Sequence, residues 1–129
     1  MGWLDWGVYL SLTAQHLEAG GGIYGPTRDQ LVRARSAIDS VSTASARLRE
    51  IIDALRSGGF EMAGPSLKTA HKGYDRDHRD IELLRLKHYA PLTTLPVSAA
   101  PEKIREAWQA VEALIEWGDT HVGAARSWP

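Results

Sequence analysis

From Leu67 to Tyr89 the chain reads L-K-T-A-H-K-G-Y-D-R-D-H-R-D-I-E-L-L-R-L-K-H-Y, and this stretch gathers most of its chemically capable side chains. It holds His71, His78 and His88, three of the five histidines, and six of the fifteen Lys and Arg residues. Cations beside a glycine-containing loop and a helix start suit an anion, because guanidinium and ammonium groups donate charge-assisted hydrogen bonds to its oxygens. On that reading Lys68, Lys72, Tyr74, Arg85 and Lys87 are the ligand-binding candidates. The competing reading pairs these cations with Asp75, Asp77, Asp80 and Glu82 as a solvated ion network.

Proton transfer has candidates in His71, His78 and His88, with His78 and His88 preferred, since imidazole titrates near neutral pH, and Asp75 or Asp77 could orient one of them. A half-buried structural histidine accounts equally for any of the three. Asp75, Asp77 and His78 offer oxygen and nitrogen ligands, but a set this local rarely closes a metal shell, and no H-E-x-x-H partner follows. Asp77 then reads as a helix cap and His78 as a surface residue of the first turn. Neither a metal nor a cofactor is expected. No serine sits in a nucleophile elbow, and the absence of cysteine removes thiolate catalysis, thiolate zinc sites and disulfides. Gly20-Gly21-Gly22 lacks the Lys-Ser/Thr that completes a phosphate loop, so close backbone packing against a helix explains it better.

The elements that must position these groups come from a chain of 129 residues, enough for one domain around one core. Apolar residues make up 43% and charged residues 24%, as in ordinary globular domains. Fifteen basic and sixteen acidic residues leave a net charge of −1, so no global field draws the protein to nucleic acid or an anionic membrane. Nucleic acid is not expected as a partner, because the basic stretch is also interrupted by four acidic residues. No segment approaches the roughly 20 apolar residues that span a bilayer, and Met1 to Leu12 lacks the basic start of an export signal. A cytoplasmic protein is expected.

Val8, Leu10 and Leu12 alternate with Tyr9, Ser11 and Thr13, which predicts a half-buried strand. Leu17 to Tyr24 predicts its antiparallel hairpin partner. Thr27 and Gln30 form a capping box that opens a helix bearing Leu31, Ala34 and Ile38. After a break at Ser40 to Thr43, Ala44, Leu48, Ile51, Ile52 and Leu55 predict a second helix, or a bent continuation of the first, ended by Gly58-Gly59. Phe60 to Ala63 reads as a short strand. Asp77 and Asp80 open a short helix with Ile81 and Leu84, and Tyr89 to Pro96 has the prolines of an edge strand. Ile104, Ala107, Trp108, Val111, Leu114 and Ile115 predict a long last helix with a stop at Gly118. The fold class is α+β: a small antiparallel sheet of about four strands with helices on one face and a long C-terminal helix.

Two motifs carry a family resemblance: G-G-G-I-Y-x-P-x-x-D-Q-L-x-x-x-R-x-x-I from Gly20 to Ile38, and L-K-x-x-x-K-G-Y-D-x-D-H-x-x-x-E-L-L-R-L-K from Leu67 to Lys87. The chain resembles the bacterial family called domain of unknown function 2461 from about Trp6 to Trp117. The resemblance implies an α+β fold and no particular activity. It also implies an N-terminal helical region and a basic R-D-x-R-F-S-x-D-K-x-P-Y-K segment that this chain lacks, and His71 and Arg79 stand where the family generally has proline. A sheet shortened in this way would expose a strand edge or an apolar face, and both favour a homo-oligomer or a partner protein. Trp3, Trp6, Trp117 and Trp128 suit such a surface. The alternative is a small enzyme or binding protein for a phosphate-bearing ligand at residues 68 to 88.

Overall fold

The computed structural model of the chain describes residues 6–40, 42–64, 66, 67, 74 and 76–124. Lys68, Lys72, His71, Asp75, Trp3 and Trp128 lie outside them.

The first hairpin joins β1 (Gly7–Leu12) to β2 (His16–Gly22). Thr13 fixes its register: the backbone N–H donates to the His16 carbonyl at 2.9 Å, and Oγ1 accepts from the N–H groups of Gln15 and His16. This is the side-chain turn that threonine makes readily. Next come α1 (Arg28–Ser40) and α2 (Ser42–Ser57), two helices packed against one another. The capping box at the start of α1 is complete, since the Thr27 N–H donates to Gln30 Oε1 at 2.9 Å and the Gln30 N–H to Thr27 Oγ1 at 3.2 Å. Gln30 is wholly buried, and its Nε2 also donates to the carbonyl of Gly123.

The short strand β3 (Glu61–Met62), the one-turn helix α3 (Ile81–Leu84), β4 (Pro91–Pro96) and the long α4 (Pro101–His121) complete the chain. The strands form one antiparallel sheet in the order β1-β2-β4-β3, giving the α+β architecture that the sequence predicts. Helix α4 lies on one face, mainly over β2, and α1 and α2 pack against α4. Gly21 permits the close approach: a Cβ there would stand 2.8 Å from Val111 Cγ2. Ile23, Ile38, Leu48, Ile52, Leu84, Val111 and Leu114 form the centre of the buried cluster.

Four expectations change. Strand β4 is interior in the sheet order, although only Glu61 and Met62 pair with its outer side, and its prolines sit at its two ends. Gly118 does not stop α4, which runs on to His121; it leaves room for an indole, and a Cβ there would lie 2.0 Å from Trp6 Cδ2. Trp6 and Trp117 are 8% and 4% exposed, so they are core residues rather than an assembly surface. The start of α3 falls at Asp80 instead of Asp77, and no side chain caps it.

Candidate functional site

The basic stretch divides into two environments. His78 lies in the first, between α1 and the start of α3. Its Nδ1 accepts the Asp80 N–H at 3.0 Å, which puts the proton of the neutral ring on Nε2, 2.8 Å from Asp39 Oδ1. The Asp80 carboxylate is buried and meets Arg49 at 2.7 Å and Arg79 at 3.4 Å. Burial alone would raise the Asp80 pKa, but the Arg49 hydrogen bond and the charges of Arg49, Arg79 and His78 outweigh it and hold the carboxyl below its ordinary value. The group is a structural ion cluster that ties α3 to α1 and α2. Asp77 is exposed beside it.

His88 lies in the second environment. Its Nδ1 accepts the Gly25 N–H at 2.9 Å, so its neutral ring also carries the proton on Nε2. The ring stacks on Tyr24 with centroids 4.0 Å apart and planes 6° from parallel. Gly64, at φ +77°, runs along its edge, where a Cβ would come within 2.4 Å of Cδ2. Burial, and then the charge of Lys87, pushes the His88 pKa below its ordinary value. The imidazole is therefore held neutral.

A cavity of about 490 Å³ opens beside His88, between α1 and the turn that carries Lys87. Arg28, Arg35 and Lys87 bring cations to it, while Leu31, Val32 and Leu67 supply apolar wall. Arg35 is 5% exposed. Its Nε donates to the Leu84 carbonyl at 3.1 Å and its Nη2 to that of Leu86 at 3.3 Å, so it closes the end of α3 against α1. Behind it sits Tyr89, whose buried hydroxyl has no hydrogen-bond partner among the described residues and whose pKa burial raises strongly. Burial, and then the charge of Asp39, also raises Tyr74, which is half-buried against the core.

Of the ligand candidates read from sequence, only Lys87 lines this cavity among the described residues. Arg85 points elsewhere, donating through Nε to the Leu67 carbonyl at 2.6 Å beside a separate depression that includes Ser66 and Glu82. Arg28 and Arg35 are absent from those candidates. The signal for Arg35 was its place four residues after Leu31 and three before Ile38, a charge on the apolar face of α1. Among the described residues no group of three His, Asp or Glu side chains could hold a metal ion, and no helix is long and apolar enough to cross a membrane.

The two motifs meet in space, since Ile23 and Tyr89 exchange backbone hydrogen bonds at 2.8 and 2.9 Å and Arg35 reaches Leu84 and Leu86. Residues 3–117 match the profile of the family described as conserved hypothetical protein (DUF2461). The chain belongs to this family. No curated protein and no solved structure matches it.

This DUF2461 domain has a further feature at the far end of its sheet. Directly paired residues of antiparallel strands share a face, so Val8, Leu10 and Leu12 lie on the side of Gly21, Ala19 and Leu17. Leu17 and Ala19 are buried, yet Val8 is 53%, Leu10 43% and Leu12 71% exposed. The apolar side expected to be half-buried is thus the open one, because α4 lies over β2 and β1 overhangs it. Trp108 bridges the gap, donating through Nε1 to the Tyr9 carbonyl at 3.0 Å.

Proposed function

We propose that the domain acts through self-association, with β1 pairing to β1 of a second copy. The observation that carries this reading is that one strand offers both an apolar surface and a backbone edge unpaired among the described residues. Hydrogen bonds alternate along an antiparallel pair. The Thr13–His16 bond therefore turns the N–H and C=O groups of Gly7, Tyr9 and Ser11 toward β2, and those of Val8, Leu10 and Leu12 outward. The outward residues are the ones with exposed apolar side chains.

This edge is self-complementary. A two-fold axis at Leu10 sets Leu10 opposite Leu10, and Val8 opposite Leu12, giving about six backbone hydrogen bonds and a continuous apolar ladder. Residues Gly7 to Leu12 include no charge and no proline, the usual devices against such pairing. The opposite edge, β3, pairs over only two residues.

The magnitude favours a dissociable dimer. Half-burying six aliphatic side chains yields about 6 kcal/mol, and six net hydrogen bonds about as much again. Association costs on the order of 4–15 kcal/mol. With a cost of about 6 kcal/mol, toward the low end of that range, the expected dissociation constant is on the order of 10–100 µM. Sedimentation velocity across that range tests it: the wild type converts from monomer to dimer, and Leu10→Lys stays monomeric with an unchanged unfolding midpoint. A wild type that remains monomeric at several hundred micromolar, or a Leu10→Lys variant that still dimerises, refutes the reading.

A further inference from the structure

We propose that the cavity between α1 and the Lys87–His88 turn binds a small ligand that joins an oxyanion head, a carboxylate or phosphate monoester, to an apolar body. The proposal is independent of assembly, because β1 contributes nothing to the cavity.

Among the described residues the charge in the cavity is unbalanced. Arg28, Arg35 and Lys87 all line it, and none has a carboxylate within ion-pairing distance among the described residues. The described lining includes no Asp or Glu. For Arg28 and Lys87, with access to water, this is ordinary. For Arg35 it is not, because a guanidinium 5% exposed has lost its hydration, and a buried charge is normally paired with an opposite one. The carbonyls of Leu84 and Leu86 satisfy two donors without neutralising the charge. A guanidinium held rigidly on the wall of a cavity is prepared to receive a carboxylate or phosphate without further ordering of its side chain.

The rest of the lining selects what carries the anion. Pro26, Leu31, Val32 and Leu67 make the wall apolar, and a bare inorganic ion would leave that wall uncovered. The volume of about 490 Å³ accommodates a ring or short acyl chain together with its head. His88 lines the cavity as a neutral ring, with its Nδ1 committed to the Gly25 N–H. Three cations and a hydrocarbon wall describe a site for an amphipathic anion.

Isothermal titration calorimetry of the full chain with phenyl phosphate, benzoate, inorganic phosphate and benzyl alcohol tests this. Phenyl phosphate or benzoate is expected to bind with a dissociation constant of about 1 mM or tighter. Which of the two binds more tightly identifies the head. Inorganic phosphate and benzyl alcohol, each carrying half of the recognition, are expected to bind at least about tenfold more weakly. Arg35→Met removes a structural residue, so the decisive variants are at the rim: Arg28→Ala with Lys87→Ala, and Val32→Glu, which places a carboxylate at a position 55% exposed. Both are expected to keep the unfolding midpoint and to lose at least about tenfold in affinity for the aryl anion. The Leu10→Lys variant is expected to bind like wild type. The proposal is overturned if neither aryl anion binds at about 10 mM, if inorganic phosphate or benzyl alcohol binds as tightly as the aryl anion, or if the rim variants leave affinity unchanged.

Discussion

His78 and His88 come from the same basic stretch, and the fold gives them opposite surroundings. Around His78 opposite charges meet: Asp39 faces the ring, and Arg49 and Arg79 face Asp80. Around His88 the charges share one sign, with Arg28, Arg35 and Lys87 on a common cavity. The first arrangement has spent its interactions on holding α3 in place. The second retains electrostatic capacity that no carboxylate among the described residues uses. The difference separates scaffold from site, and neither residue type nor position along the stretch reveals it.

The largest test of this contrast is Arg35→Met. Removing the guanidinium strands the Leu84 and Leu86 carbonyls in the interior and should cost about 3 kcal/mol by urea unfolding. A loss under about 1 kcal/mol would mean that relief of the uncompensated charge offsets the lost bonds, strengthening the contrast with His78.

Asp80→Ala should cost about 1–2 kcal/mol, the smaller figure reflecting the exposure of Arg49. Because the folded state holds the Asp80 pKa below its ordinary value, its contribution is complete above about pH 4 and is lost as pH falls through the folded-state pKa. Unfolding midpoints measured from pH 7 to pH 2 should therefore show a shallower acid limb in the variant. An acid limb identical to wild type would remove Asp80 from the network.

His88→Phe keeps a ring against Tyr24, loses the acceptor for the Gly25 N–H, and should cost about 1 kcal/mol at pH 7. Its pH dependence identifies the environment. The folded state disfavours protonation of His88, so stability is complete above about pH 6.5 and declines as pH falls from there through the folded-state pKa. The variant should lose that decline. If imidazole resonances followed by NMR place the His88 pKa above the ordinary histidine value of about 6.5, the reading of its environment fails.

The smallest effect belongs to Arg28→Ala with Lys87→Ala, expected within about 0.5 kcal/mol of wild type, since neither side chain has an ion-pair partner among the described residues. A loss above about 1.5 kcal/mol would show that these cations belong to the scaffold after all.

Much of the scaffold was legible. The capping box of Thr27 and Gln30, the four strands and the stripe of α4 follow from local spacing, and the glycines at 20 to 22 follow from the need for close approach. The site was less so. Arg85 and Lys87 are two residues apart in one basic run, yet one donates to the Leu67 carbonyl and the other lines the cavity. Arg35 went unremarked because an arginine in a helix reads as solvated until its neighbours are known. Gly118 looked like a helix stop because the indole of Trp6, more than a hundred residues away, is invisible to local pattern.

The amino-acid order alone determined the α+β class, the hairpin, the capped start of α1 and the alternation of β1, since these depend on contacts a few residues apart. Only the tertiary structure decided that α4 covers β2 and leaves Val8, Leu10 and Leu12 open, that Asp80 meets Arg49, and that Arg35 meets no carboxylate among the described residues. Burial and charge compensation are sums over neighbours brought together from distant parts of the chain, and that sum exists only once the chain has folded.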